Sequence, residues 1–142
     1  EARSLTTWRS YNYPHVTIVY WSLYRVARNY GKASQLKKGW QWYLGQAVNT
    51  TMLGVTAHGQ YNEMGLMAGS VWRLLLDDLR REGGQTWLTA ATQIETFMLG
   101  RAEGWARQPF PFGSEMPWDS TGQEEIFGWS RESGCFCCFS IF

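Results

Sequence analysis

Apolar residues recur along this chain at spacings of three and four, the pattern of helices that each bury one stripe. From Pro14 to Tyr30 the stripe is Val16, Val19, Tyr20, Leu23, Val26, Ala27 and Tyr30, with Pro14 suited to a first turn and Gly31 to a stop. Ile18, Trp21 and Tyr24 lie off that stripe, so this helix is expected to be buried on two sides. A second helix is predicted from a cap at Ser34 to about Ala57, carrying Leu36, Trp40, Tyr43, Leu44, Ala47 and Val48. Asn62 is expected to cap a third, with Ala68, Val71, Trp72, Leu75, Leu76 and Leu79 on one face and Gly83-Gly84 as its stop. Thr86 starts a fourth, which carries Trp87, Ala91, Ile94, Met98 and Trp105 and ends before Pro109. A fifth follows Asp119, carries Ile126, Phe127 and Trp129, and runs to Gly134. No stretch sustains the strict alternation of a half-buried strand, so the fold class read from the pattern is all-α, built of antiparallel helical hairpins.

Short connections make successive helices antiparallel, so alternate loops emerge at opposite ends. One end receives the turns at Gly31–Ser34 and Glu82–Gln85. The other receives Ser10–His15, His58–Glu63 and the long stretch from Pro109 to Glu125. Both histidines and most of the unusual polar and aromatic residues therefore collect at a single end.

Composition narrows the function classes. The 142 residues fit one compact domain, and 16% of them are Phe, Trp or Tyr, with nine tryptophans. An apolar fraction of 44% with 13 basic against 12 acidic residues excludes disorder and a polybasic nucleic-acid arm. The absence of a long uncharged apolar run excludes a membrane-spanning helix. The start at Glu1-Ala2-Arg3 has neither an initiator Met nor a signal-peptide profile, which leads us to expect a processed chain or a piece of a longer one. Cys135, Cys137 and Cys138 stand in an atypical Cys- and Phe-rich tail, residues 135–142, expected to lie apart from the domain of residues 1–134. Their spacing without a nearby His makes a poor zinc site, so no metal and no cofactor are expected. Asn49-Thr50-Thr51 is an N-glycosylation sequon and leans toward a secreted or extracellular location.

Candidate chemistry sits in the run Gly113 to Glu125, where Glu115, Asp119, Glu124 and Glu125 crowd together. Crowded carboxylates repel, so a fold tolerates them where a ligand or a chemical task uses the charge. Paired carboxylates are what glycoside hydrolysis needs, and Trp118 offers a stacking face for a sugar ring. Competing readings stand beside this one. Thr121 and Glu124 have capping-box spacing, and Glu125 points about 100 degrees away on the helix and is otherwise read as solvated. Tyr11, Asn12, His15, His58, Tyr61, Asn62 and Glu63 share the same end and are candidate substrate contacts, although Glu63 also suits a helix dipole.

Two stretches carry a family resemblance: Tyr11 to Tyr30, and above all Ser114-Glu115-Met116-Pro117-Trp118-Asp119-Ser120-Thr121-Gly122-Gln123-Glu124-Glu125. Over roughly residues 8 to 134 the chain resembles DUF5695, a family of secreted fungal and bacterial proteins similar to the six-hairpin glycosidases. That resemblance implies a part of an (α/α)6 toroid, an oligo- or polysaccharide partner and a carbohydrate-active role, while no nucleic acid and no membrane are expected from the composition above. Within it, a glycoside hydrolase using Glu115, Asp119, Glu124 and Glu125 is the first expectation. A non-catalytic binding array stacking sugars on Trp118, Tyr11 and Tyr61 is the second, and a polysaccharide lyase relying on His15, Tyr11 and Asn12 the third. The remainder of the toroid is expected to be missing, which would leave apolar faces uncovered.

Overall fold

The computed structural model describes residues 12–30, 33–56, 64–108 and 122–132, and among these every regular element is helical. Helix α1 is Asn12–Asn29, a 3-10 turn follows at Ala33–Gln35, and then come α2 (Trp40–Thr56), α3 (Val71–Glu82), α4 (Gly84–Ala106) and α5 (Gln123–Glu132). The all-α hairpin class is the one adopted: α1 packs along α2, α3 along α4, and α5 lies on α4. Fully enclosed side chains include Tyr24, Leu44, Trp72, Leu75, Ile94, Met98, Trp105, Ile126 and Trp129.

The stripes of α2 to α5 turn inward largely as predicted, whereas α1 does not. Its buried residues are Pro14, Thr17, Tyr24 and Ala27, while Val16, Val19 and Tyr30 are 42%, 57% and 72% exposed. Polar pairing and close approach select the inner face. Thr17 and Thr51 bring their hydroxyls to 3.3 Å, and Thr51 donates to the carbonyl of Ala47 at 2.9 Å. Gly54 admits Tyr13, since a Cβ on Gly54 would stand 2.6 Å from that of Tyr13. On its other flank α1 meets α3 through a buried carboxylate. Asp78 accepts from Trp21 Nε1 at 2.8 Å and pairs with Arg25 at 3.2 Å and Arg81 at 2.8 Å. Nearby, Tyr24 donates to Glu82 at 2.7 Å and Arg28 pairs with the same carboxylate at 3.1 Å. Burial and the Glu82 hydrogen bond push the Tyr24 hydroxyl up to about 12.

Helix starts also depart from the pattern. Ser34 lies in the 3-10 turn, and α2 begins only after Gly39, whose carbonyl accepts from Trp42 at 3.1 Å and Tyr43 at 3.4 Å. The cause is local, because glycine is a poor helix former. The third helix begins at Val71, well after Asn62, which lies outside the described residues. Ala68, expected on its stripe, instead takes φ 62° in the approach to the helix. Helix α4 begins at Gly84, two residues before Thr86. On α5, Ile126 and Trp129 are buried, but Phe127 is 60% exposed and leaves the predicted face.

The contacts of Arg28 and Tyr24 with Glu82 set the last turns of α1 and α3 side by side. The two ordinary turns therefore share one end, as loop parity requires. Tyr13 against Gly54 marks the other end, and there the first turn of α5, with Glu124 and Glu125, stands.

Candidate functional site

Residues 64–70 rest on the first turn of α5, an approach that only glycine allows. A Cβ on Gly65 would lie 2.5 Å from the carbonyl oxygen of Gly122 and 2.8 Å from Ile126 Cγ1. One on Gly69 would lie 2.7 Å from Glu125 Cγ. This proximity lets the backbone N–H of Leu66 donate to Glu125 Oε2. From α4, Arg101 reaches the same carboxylate, with Nη2 to Oε1 at 3.0 Å and to Oε2 at 3.2 Å, and Nε to Oε1 at 3.2 Å. Arg101 Nη2 also donates to the carbonyl of Met64 at 2.8 Å. Its guanidinium carbon lies 5.0 Å from the Trp105 ring centre and 5.9 Å from that of Trp72. One ion pair thus ties α4, α5 and the 64–70 segment together.

Burial governs the chemistry of that pair. The side chain of Glu125 is 0% exposed and that of Arg101 10%. Desolvation raises the Glu125 carboxyl from its ordinary 4.5 to about 7, against the opposing pull of the Arg101 charge and the Leu66 N–H. The solvated reading of Glu125 is therefore corrected: its direction on α5 points into the core. Glu124, one position earlier, is exposed and accepts from the Ser70 hydroxyl at 3.3 Å. The two carboxylates stand as one enclosed group and one open group on a single helical turn.

The remaining candidates are placed as follows. Asn12 is the exposed first residue of α1, and His15 is exposed in the same turn, both at this end of the bundle. Tyr11, His58, Tyr61, Asn62, Glu63, Glu115, Trp118 and Asp119 lie outside the described residues. Among the described residues no group of His, Cys, Asp and Glu is arranged to hold a metal ion, and no helix is long and apolar enough to cross a membrane. A cleft among Arg73, Leu76, Asp77, Arg80, Glu95 and Trp129 encloses about 60 Å³. That falls well below the roughly 300 Å³ at which small-molecule pockets begin.

Arg101, Ser70 and Leu66 were not anticipated. The signal for Arg101 was present, because it stands three residues after Met98 and four before Trp105, a lone charge in the phase of a buried stripe. Leu66 acts through its backbone, which side-chain chemistry does not reveal.

Comparison with known proteins places residues 1–135 in DUF5695, described as a family of unknown function. No curated protein and no solved structure matches the chain.

Proposed function

We propose, for a chain that belongs to DUF5695, a carbohydrate-active role as part of a glycoside hydrolase built like the six-hairpin toroids. The observation that carries the reading is the exposed Glu124 beside Ser70, seated above the enclosed Arg101–Glu125 pair. Gln108 and Gly122, which flank the acidic 109–121 segment, belong to the end of α4 and the start of α5. The residues on either side of that segment therefore stand at the same end as Glu124, while Glu115, Trp118 and Asp119 themselves lie outside the described residues.

The roles divide by accessibility. Glu125 has no exposed surface for a sugar to touch, so it serves as a positioning residue that fixes the turn carrying Glu124. Glu115, Asp119 and Glu124 supply acid, base or hydroxyl contacts, and Trp118 supplies the stacking face. Asn12 and His15 line the same end and, with Tyr11, His58, Tyr61, Asn62 and Glu63, complete the substrate contacts. Secretion fits such a role, since polysaccharides are encountered outside the cell.

Release of reducing ends from a panel of neutral and acidic polysaccharides tests this. Glu115→Gln, Asp119→Asn and Glu124→Gln each remove charge while keeping shape, and a positioned acid or base is worth about a hundredfold or more in turnover. The expected result is that at least two of the three lose turnover on that scale. If all three retain it while Trp118→Ala abolishes sugar binding, the non-catalytic binding array replaces the hydrolase.

A further inference from the structure

At the end of the bundle opposite Glu124, α1 meets α3 through three arginines and two carboxylates. The carboxylates face inward, Asp78 2% and Glu82 6% exposed, while the side chains of Arg25, Arg28 and Arg81 are 41%, 47% and 51% exposed. Three cations meet two anions, so one positive charge is uncompensated. Lys37 and Lys38, just before α2, add two more and have no acid partner among the described residues. How the arginines bind decides what this surface offers. Trp21 and Arg81 already occupy the Asp78 oxygens at 2.8 Å, so Arg25 approaches sideways, with Nε at 3.2 Å. Tyr24 occupies Glu82 Oε1, and both hydrogen bonds that Arg28 donates to Glu82 leave from Nε, at 3.1 and 3.2 Å. The terminal amino groups of Arg25 and Arg28 donate to no acceptor among the described residues. Each guanidinium lies over a ring, Arg25 4.8 Å from the centre of Trp21 and Arg28 5.2 Å from that of Trp40. Residues three apart on a helix are neighbours, so the two open forks stand side by side.

We propose that Arg25 and Arg28 form an oxyanion site that takes the carboxylate or sulfate groups of an acidic polysaccharide. A planar guanidinium matches two oxygens of such a group, and a fork already fixed by a buried carboxylate and an indole ring loses little freedom on binding. A bound oxyanion also answers the uncompensated charge. What the end lacks selects the polymer. Nucleic acid is held through many phosphate contacts, about 6 to 10, whereas the excess here is one arginine and two lysines. An anionic membrane surface takes a polybasic cluster with apolar side chains free to enter it, and the rings here lie under guanidiniums. The choice of a polysaccharide rests on the carbohydrate reading, but the oxyanion site does not. It anchors the polymer at the end remote from Glu124 and takes no part in its cleavage.

Affinity electrophoresis of the full chain in gels containing polygalacturonate or dextran sulfate, with neutral dextran as the reference, tests the proposal. Both acidic polymers should retard the chain, neutral dextran should not, and added salt should weaken the effect. Arg25→Lys combined with Arg28→Lys keeps the charge and removes the forks, so it should weaken binding about tenfold or more with an unchanged helical circular dichroism spectrum. Lys37→Gln combined with Lys38→Gln, away from the buried carboxylates, should weaken it in the same direction. Arg107→Gln, which removes one exposed charge at the other end of the bundle, should leave it intact. The absence of retardation by either acidic polymer overturns the proposal, as does binding that survives both arginine-to-lysine changes or falls equally with Arg107→Gln. Tighter binding to DNA or to phosphatidylglycerol vesicles, or full displacement by inorganic sulfate matched to the polymer's sulfate groups, overturns the choice of partner. Release of reducing ends is read separately. Turnover without retardation sinks this site alone, and retardation without turnover sinks the hydrolase reading alone.

Discussion

Arg101 is the residue through which the end carrying Glu124 is most open to test. Replacing it with Met removes the charge that holds the Glu125 carboxyl down, so the enclosed group must either take up a proton or stand unpaired, and breaking a buried pair on one side costs up to about 3 to 5 kcal/mol. Urea titration of Arg101→Met should show a loss of that size, and adding Glu125→Leu to the same chain should recover much of it, because an apolar pair leaves no charge stranded. The pH dependence has a definite sign. A carboxyl raised from 4.5 to about 7 binds its proton more tightly in the folded chain, so its contribution favours folding fully below 4.5 and is lost as pH climbs through 7. Between about pH 5 and about pH 8 the wild type should therefore lose stability relative to Glu125→Gln. A wild type whose stability stayed level against Glu125→Gln over that interval would show that Arg101 keeps the carboxylate charged throughout. At this scale the sequence was half legible. Acid density pointed to Glu124 and Glu125, but nothing in one-dimensional spacing tells an enclosed glutamate from an open one. That difference arises because Gly65 and Gly69 let backbone press onto α5.

At the scale of elements, the reversal from α3 to α4 turns on two glycines with no loop between the helices. Gly83 adopts φ 66° and ψ −164°, and Gly84 follows at φ 74°. The first lies in a region that is essentially glycine-only, where other residues incur about 1 to 3 kcal/mol. Gly83→Ala has open space for its methyl group, so a destabilisation of that size in thermal or urea melts would come from backbone strain alone. An unchanged melt would mean that the turn relaxes into another geometry. Gly83-Gly84 was readable as a stop because glycine leaves a strong local mark. The inner face of α1 was not, since apolar spacing ranks Val16 and Val19 above Thr17 and Tyr24. The fold ranks them the other way: the Thr17–Thr51 contact and the Tyr24–Glu82 hydrogen bond draw the hydroxyl-bearing face inward. Periodicity thus identified the helix and the burial of Ala27, and the two-sided reading that of Tyr24, but the exposure of Val16 and Val19 was not legible, because orientation is decided by partners on α2 and α3.

For the molecule as a whole, the consequence is an uneven surface, with charge spread over α3, α4 and α5 and the exposed apolar residues Val16, Val19, Trp42 and Leu53 on the α1–α2 hairpin. The wet part of an apolar group contributes nothing to folding, so substituting such half-exposed residues should cost little stability while changing what the surface binds. An environment-sensitive hydrophobic dye reads this directly. At low chain concentration the wild type should bind dye, and Val16→Glu combined with Leu53→Glu should remove most of that signal without lowering the melting temperature. A melting temperature lowered in step with the lost dye signal would instead mean that Val16 and Leu53 belong to the packed core, and that dye reports loosening rather than a preformed face. Dye binding unchanged by the two substitutions, with stability also unchanged, would place the dye on another surface of the molecule.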